Sequence, residues 1–296
     1  MNEISGKAFG KLNLSLDVTG RRGDGYHLVR MVMQTVNLYD TVTIRRTAGP
    51  EIDVITDSGK LPAGSGNLVW QAAHVMRRRF GITDGLSVRL EKRIPIAAGM
   101  AGGSADAAAV FRLLRELYVP EVSDAELERL SLPLGADIPY CITGGTKLCE
   151  GIGEALTPLP AAPACCLLIV RPDIDVSTGR VYREFDDIPA EEVRHPDVDG
   201  QVNAIRRGDL GGLCACLGNV LEQKTGEMYP VIGGLERYFL EHGAMGALMT
   251  GSGPTVFAIY DESGKADAAY AQLQAEPAYR NFMKFRTEFV GETLRT

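Results

Sequence analysis

No run of 18 apolar residues occurs anywhere in the 296-residue chain, so no membrane-spanning helix is expected. Clustered basic charge is equally scarce. The longest basic run is Arg77-Arg78-Arg79, and 31 Lys and Arg stand against 38 Asp and Glu, a net charge of −7. That balance excludes non-specific nucleic-acid binding, which needs clustered cations to release phosphate counterions. Three arginines on one helix read instead as a solvated face. The six cysteines (Cys141, Cys149, Cys165, Cys166, Cys214 and Cys216) form no C-x-x-C and have no His partner at metal-ligand spacing. They read as reduced core thiols. Met1-Asn2-Glu3-Ile4 lacks the apolar core of a secretory signal, and the expectation is a cytoplasmic protein.

What is present is the mixture of a soluble globular chain, 45% hydrophobic and 23% charged, long enough for two domains or one large one. Residues 11–18 alternate with period two, Leu12, Leu14, Leu16 and Val18 against Lys11, Asn13, Ser15 and Asp17, which predicts a half-buried strand. Helical spacing covers residues 67–80, and an Ala-rich helix is predicted over 104–118. Ser123-Asp124-Ala125-Glu126 is a capping box opening a third helix. Three prolines within residues 157–163 suit an extended crossover. Strands are predicted at 165–170, 255–260 and 282–290. Strands and helices alternate without a steady βαβ rhythm, so the fold class is α+β, in two domains covering residues 1–157 and 164–296.

Glycine is the one residue in excess, 34 of 296, about 11% against a usual ~7%. The densest cluster lies in Pro95-Ile96-Ala97-Ala98-Gly99-Met100-Ala101-Gly102-Gly103-Ser104-Ala105, with a strand before it and a helix after it. Glycines admit a ligand close to the backbone, and a helix start offers unpaired N–H groups and a positive dipole end. Together they suit a nucleotide's phosphates. The spacing matches neither the Walker A loop nor the dinucleotide fingerprint. Lys11 and Asn13 share the polar face of the first strand, where a lysine taken alone reads as solvated. Asp137 stands in an otherwise uncharged stretch, either a helix N-cap or a functional carboxylate. A second cluster, Thr250-Gly251-Ser252-Gly253-Pro254, lies between two apolar segments and by itself reads as a hairpin turn.

In this order and at these separations the clusters resemble the GHMP kinases, which carry an N-terminal motif, a Gly-rich phosphate loop and a C-terminal Gly-Ser-Gly motif. The diagnostic segments are Lys11-Leu12-Asn13-Leu14, Gly23-Asp24-Gly25-Tyr26-His27, Met33-Gln34-Thr35-Val36, Asn67-Leu68-Val69, Gly135-Ala136-Asp137-Ile138-Pro139 and Gly151-Ile152-Gly153-Glu154. The resemblance spans nearly the whole chain. The Asp-Gly-Tyr-His segment narrows it to members whose alcohol substrate carries a cytidine diphosphate. Two departures are visible: Phe9-Gly10 replaces the family's Pro-Ala before the lysine, and Ala101 replaces a glycine of its Gly-Leu-Gly-Gly-Gly-Ser loop.

The resemblance implies an N-terminal nucleotide domain of the S5-domain-2-like kind and a C-terminal ferredoxin-like α/β sandwich. It implies ATP-dependent phosphorylation of the substrate's 2-hydroxyl, on the non-mevalonate route to isoprenoid precursors. The alternatives are a homoserine- or mevalonate-type kinase, or a non-catalytic ligand-sensing member. Carried over residue by residue, Asp137 is the base and Lys11 the cation beside it. Pro95, Ala98, Gly99, Met100, Ala101, Gly102, Gly103, Ser104 and Ala105 hold ATP, with Asn67 and Lys92 on its adenine side. Asn13, Tyr26, His27, Tyr182, Gly251 and Ser252 bind the cytidyl substrate. Tyr182 is the second stacking ring and Phe185 the fallback, whereas ordinary core packing is the plain reading of each aromatic. Ser104 is assigned to phosphate or Mg²⁺. A monomer or homodimer is expected, with no nucleic-acid or membrane partner.

Overall fold

The computed structural model describes residues 2–62 and 64–291. Its spine is a long antiparallel pair, β1 (Glu3–Arg21) and β2 (His27–Thr47). Beyond β2, β4 (Gly85–Glu91) pairs with its C-terminal half and β5 (Thr146–Glu150) with its N-terminal half. β3 (Ile52–Thr56) lies outside β4, and β6 (Ala155–Pro158) outside β5. The helices α1 (Leu68–Phe80), α2 (Gly102–Tyr118), α3 (Asp124–Ser131) and α4 (Asp137–Thr143) accompany this sheet, with α2 against β1, β2, α1 and α4. The capping box forms as expected at its first position, where Ser123 accepts the Glu126 N–H.

One expectation is corrected here. The alternation over residues 11–18 predicts a wet polar face, yet Lys11, Asn13 and Ser15 are as buried as Leu12, Leu14 and Leu16. β1 is an interior strand, flanked by β2 and by β8 (Gly218–Asn219), and its polar face lies under residues from the far half of the chain. The Asn13 N–H donates to Thr250 Oγ1 at 2.9 Å, and Gln201 Nε2 donates to the Leu14 carbonyl at 3.1 Å. The pairing register shifts between Phe9 and Lys11 and again between Asn13 and Ser15. Such bulges bend a strand and re-aim its side chains, and here they bracket Lys11 and Asn13.

The second sheet has the order β11 (Met283–Glu288), β7 (Cys166–Arg171), β10 (Val256–Tyr260), β9 (Gly246–Met249), every neighbour antiparallel. In chain order that is 4-1-3-2, the ferredoxin-like arrangement. Between β7 and β9 come α5 (Thr178–Asp186), α6 (Val198–Arg206), α7 (Leu210–Ala215), α8 (Glu222–Met228) and α9 (Val231–Glu241), and α10 (Ser263–Ala275) follows β10. Period two divides the sheet's apolar residues between two cores. Leu168, Val170, Val256 and Ala258 face α9 and α10, while Leu167, Ile169, Phe257 and Ile259 join the core that also covers the first sheet. Both faces being buried explains the unbroken apolar run at 165–170. Among the described residues no helix is long and apolar enough to cross a membrane.

Candidate active site

The glycine loop runs from the end of β4 into α2. Ala97, Gly99 and Ala101 have φ of +52°, +72° and +56°, while Ala98 and Met100 between them do not lie in the positive region. Alternation of this kind turns successive backbone N–H groups to one side and makes an anion-binding concavity. Ala101 is the N-cap of α2 and offers no side-chain cap, so the first turn's N–H groups stay open toward the cavity in front. Ala101 thus adopts the left-handed conformation although it is not a glycine, and an L-residue there costs about 1–2 kcal/mol. Ala101→Gly should therefore raise stability by up to about 1 kcal/mol, seen as a Tm gain of about 2–4 °C. A fall in Tm would mean that the methyl group contributes more by packing than it costs in strain.

The Thr250–Pro254 turn between β9 and β10 lies directly against this loop. A Cβ on Gly99 would stand 2.3 Å from the Thr250 carbonyl oxygen, and one on Gly251 would stand 3.0 Å from the Gly99 carbonyl oxygen. Both positions need glycine for close backbone approach. Asn219 donates to the carbonyls of Met249 and Gly251 at 2.9 and 2.8 Å and fixes the turn from behind. The turn is a hairpin connection, as its residues taken alone suggest, and it also completes the site.

Lys11 lies where loop and turn meet. Its Nζ donates to Asn13 Oδ1 at 2.6 Å and to the Gly99 carbonyl at 2.9 Å, and stands 4.0 Å from Asp137 Oδ2. Asn13 is thereby committed to holding Lys11, and its amide nitrogen faces Met31 Sδ. Asp137 is the first residue of α4 and makes no cap bond. The far end of α4 is fixed by two side chains with no obvious signal in the sequence. Arg112 Nη1 donates to the Cys141 carbonyl at 2.7 Å, and its Nη2 donates to the Lys7 carbonyl at 2.8 Å. Tyr140 Oη donates to the Gly145 carbonyl at 2.7 Å. The one available hint was a lone Arg inside the apolar stretch of α2.

Three cavities join in a row. The central one, about 380 Å³, is lined by Lys11, Asn13, Ala98, Gly99, Ala101, Gly102, Gly103, Ser104, Asp137, Tyr182, Gly251 and Ser252. A second, about 270 Å³, is lined by Asn67, Lys92 and Pro95 and shares Gly102 and Gly103 with the first. A third, about 630 Å³, is lined by Tyr26, His27 and Arg183 and shares Ser104, Asp137, Thr178 and Tyr182 with the first. Asp137 and Ser104 therefore stand on the wall between the central and the third cavity.

Along this chain 48% of residues are identical to the 4-diphosphocytidyl-2-C-methyl-D-erythritol kinase of Lachnoclostridium phytofermentans, over 94% of each chain. The chain belongs to the GHMP kinase family. A kinase of the same name from Clostridium kluyveri is 41% identical over 97% of this chain and 99% of its own. The family's N-terminal domain model matches residues 67–145 and its C-terminal model residues 202–278. The crystal structure of a 4-(cytidine 5'-diphospho)-2C-methyl-D-erythritol kinase superposes with a TM-score of 0.81 at 29% identity, covering 97% of this chain and all of that one. A homoserine kinase from Cytophaga hutchinsonii superposes with a TM-score of 0.80 at 19% identity over 99% and 96%, a likeness of fold. GHMP kinases take their phosphoryl group from ATP, and this chain is one of them.

Not every expected residue of the kinase reaches a cavity. Met100 and Ala105 are buried in the core; Met100 contributes its carbonyl, which accepts the Lys11 N–H at 3.1 Å. Asn67 caps α1, accepting the Val69 N–H and donating to the Pro62 carbonyl, so both ends of its amide are engaged. Phe185, one helical turn on from Tyr182, is buried in the core and lines none of the three cavities. His27 stacks on Tyr182 with ring centroids 4.6 Å apart, whereas Tyr26 is 61% exposed at the rim. Asp186, which the sequence did not single out, holds His27 Nε2 at 2.7 Å and Arg21 at 3.0 Å. Ser252 Oγ meets Thr178 Oγ1 at 2.8 Å.

Proposed function

We propose that this kinase transfers the γ-phosphoryl group of ATP to the 2-hydroxyl of 4-diphosphocytidyl-2-C-methyl-D-erythritol, giving the 2-phosphate and ADP. The observation that carries the reading is the position of Asp137 and Lys11 at the junction of two cavities. One is walled by the glycine loop and the other by Tyr26, His27 and Tyr182. The first suits the phosphates of ATP and the second a cytidyl group, with the cavity at Asn67, Lys92 and Pro95 left for adenine. Phosphoryl transfer needs positioning and charge stabilisation more than a covalent nucleophile.

Asp137 accepts the proton of the substrate hydroxyl as its oxygen bonds to phosphorus and the bond to ADP breaks. Lys11, held by Gly99 and Asn13, keeps a positive charge beside that oxygen and the transferring group. Ser104 Oγ, on the wall of the central cavity, is a hard oxygen donor that would suit Mg²⁺, an ion that keeps waters and takes substrate phosphates as further ligands. Bound there, the ion would neutralise phosphate charge. Every residue invoked comes from one chain, so a monomer is sufficient. Six free thiols and the absence of a membrane helix among the described residues favour a cytoplasmic location.

The direct test is ADP release with the cytidyl substrate, homoserine or mevalonate as acceptor. Turnover should be confined to the cytidyl substrate; equal or faster turnover of either other alcohol overturns the assignment. A second test concerns the base pocket. Tyr26→Ala removes an exposed ring at the cavity rim, and base stacking is worth roughly 1–3 kcal/mol, so the cytidyl substrate should bind about 5- to 150-fold more weakly. ATP affinity and Tm should hardly move, because the ring is not part of the core. Equal weakening of both ligands together with a lower Tm would remove Tyr26 from the pocket.

A further inference from the structure

We infer that Asp40 is a positioning residue for phosphoryl transfer, clamping both ends of the glycine loop in the shape that presents the N-terminus of α2 to phosphate. The inference rests on the loop being the ATP phosphate site. Asp40 is on β2, fully buried, and lines none of the three cavities described above. Its Oδ1 accepts the backbone N–H groups of Arg93 and of Ile94, the latter at 2.8 Å. Its Oδ2 accepts from Lys92 Nζ at 2.5 Å, and the same ammonium donates to Asp106 Oδ2 at 2.6 Å. Residues 92–94 lead into the loop, and Asp106 lies one turn into α2 beyond it. Asp40 thus holds the chain before residues 95–105 directly, and the chain after them through Lys92.

Two features argue that this clamp serves the loop rather than the fold alone. First, the loop holds two alanines and a glycine at positive φ, a conformation that persists only where the surroundings over-determine it. The clamp is the buried polar anchor next to it: a Cβ on Gly102 would lie 3.1 Å from Ile94 Cγ2 and 3.6 Å from Lys92 Nζ. Second, the cluster is a poor stabiliser. Two carboxylates share one ammonium, and Asp106 Oδ1 is buried without a partner. Burial, together with the charge of Asp40 and against that of Lys92, pushes the Asp106 carboxyl up to about 8. Replacing a buried ion cluster of this kind by apolar residues of similar volume is often neutral or stabilising. A costly polar arrangement retained beside a site is the pattern expected of a positioning device.

The test is Asp40→Asn in the full chain, measuring Kd for ATP, Kd for the cytidyl substrate, kcat and Tm. Misplacing reacting groups by about 1 Å typically costs 10²-fold, so kcat/KM for ATP should fall roughly 10- to 100-fold. The Kd of the cytidyl substrate should stay within about 2-fold, because most of its cavity's walls come from the β1–β2 turn and α5, which the clamp does not touch. Should Asp40→Asn not fold, Asp40→Ser, which is smaller and has no carboxylate for Lys92 and the 93–94 backbone, is expected to show the same selective loss for ATP. A folded variant of either kind with unchanged ATP parameters overturns the inference, as does equal weakening of both ligands with a fallen Tm. A wild-type chain that binds no ATP would sink the loop's assignment and the clamp together. Wild-type binding with an unaffected variant sinks the clamp alone.

Discussion

Asp137→Asn should abolish turnover while leaving ATP binding intact. The amide has the shape of the carboxylate but cannot take up the hydroxyl proton, and loss of a general base typically costs ~10²–10⁴-fold. The fold should tolerate the change. Asp137 makes no cap bond, its side chain is partly exposed, and α4 is anchored elsewhere, through Arg112 at its carbonyls and Tyr140 at Gly145. ADP release at saturating substrates gives kcat, and a nucleotide titration gives Kd. A variant that keeps more than about a tenth of wild-type kcat would take Asp137 out of the base role.

Lys11→Ala should be nearly as damaging. The ammonium stands between the Gly99 carbonyl, Asn13 Oδ1 and Asp137, so its removal takes away the positive charge beside the reacting oxygen. Losing one preorganised electrostatic contact of this kind typically costs ~10²–10³ in kcat. The substitution also takes a donor from the partly buried Gly99 carbonyl and leaves the buried Asn13 Oδ1 only Thr250 Oγ1 at 3.5 Å, which destabilises by about 1 kcal/mol or more. Tm must be followed alongside kcat so that unfolding is not mistaken for lost chemistry. If KM rises while kcat holds, Lys11 binds substrate equally in ground and transition states, and the charge-stabilising role falls.

Much of this site was legible because its demands are local. A glycine-rich stretch between a strand and a helix implies close backbone approach and open N–H groups, whatever surrounds it. The capping Ser123 and the apolar stripes of α1 and α2 follow from spacing alone. Other features were illegible for an equally physical reason. Residues 11–18 alternate as a surface strand would, and no local rule indicates that Thr250 and Gln201 cover the polar side. The left-handed Ala101 breaks the propensity that a sequence reader relies on, because tertiary contacts hold it. Asp40, Asp186 and Arg112 carry no motif; each matters through partners tens to more than a hundred positions away.

Sequence by itself determined where the backbone must bend tightly, placed strand at 11–18, 165–170 and 255–260 and helix at 67–80 and 104–118, and showed which motifs belong to which family. These follow from φ preferences, periodicity and capping, which act over a few residues. Tertiary structure alone decided that Lys11 is buried, that it meets Asp137 and Gly99, and that His27 rather than Tyr26 lies on Tyr182. It also decided that a carboxylate on β2, together with the Lys92 ammonium it holds, ties down both ends of the glycine loop. A buried charge is tolerated only where its partners converge, and that convergence is set by how the two sheets and their helices pack, at distances along the chain over which no sequence periodicity extends.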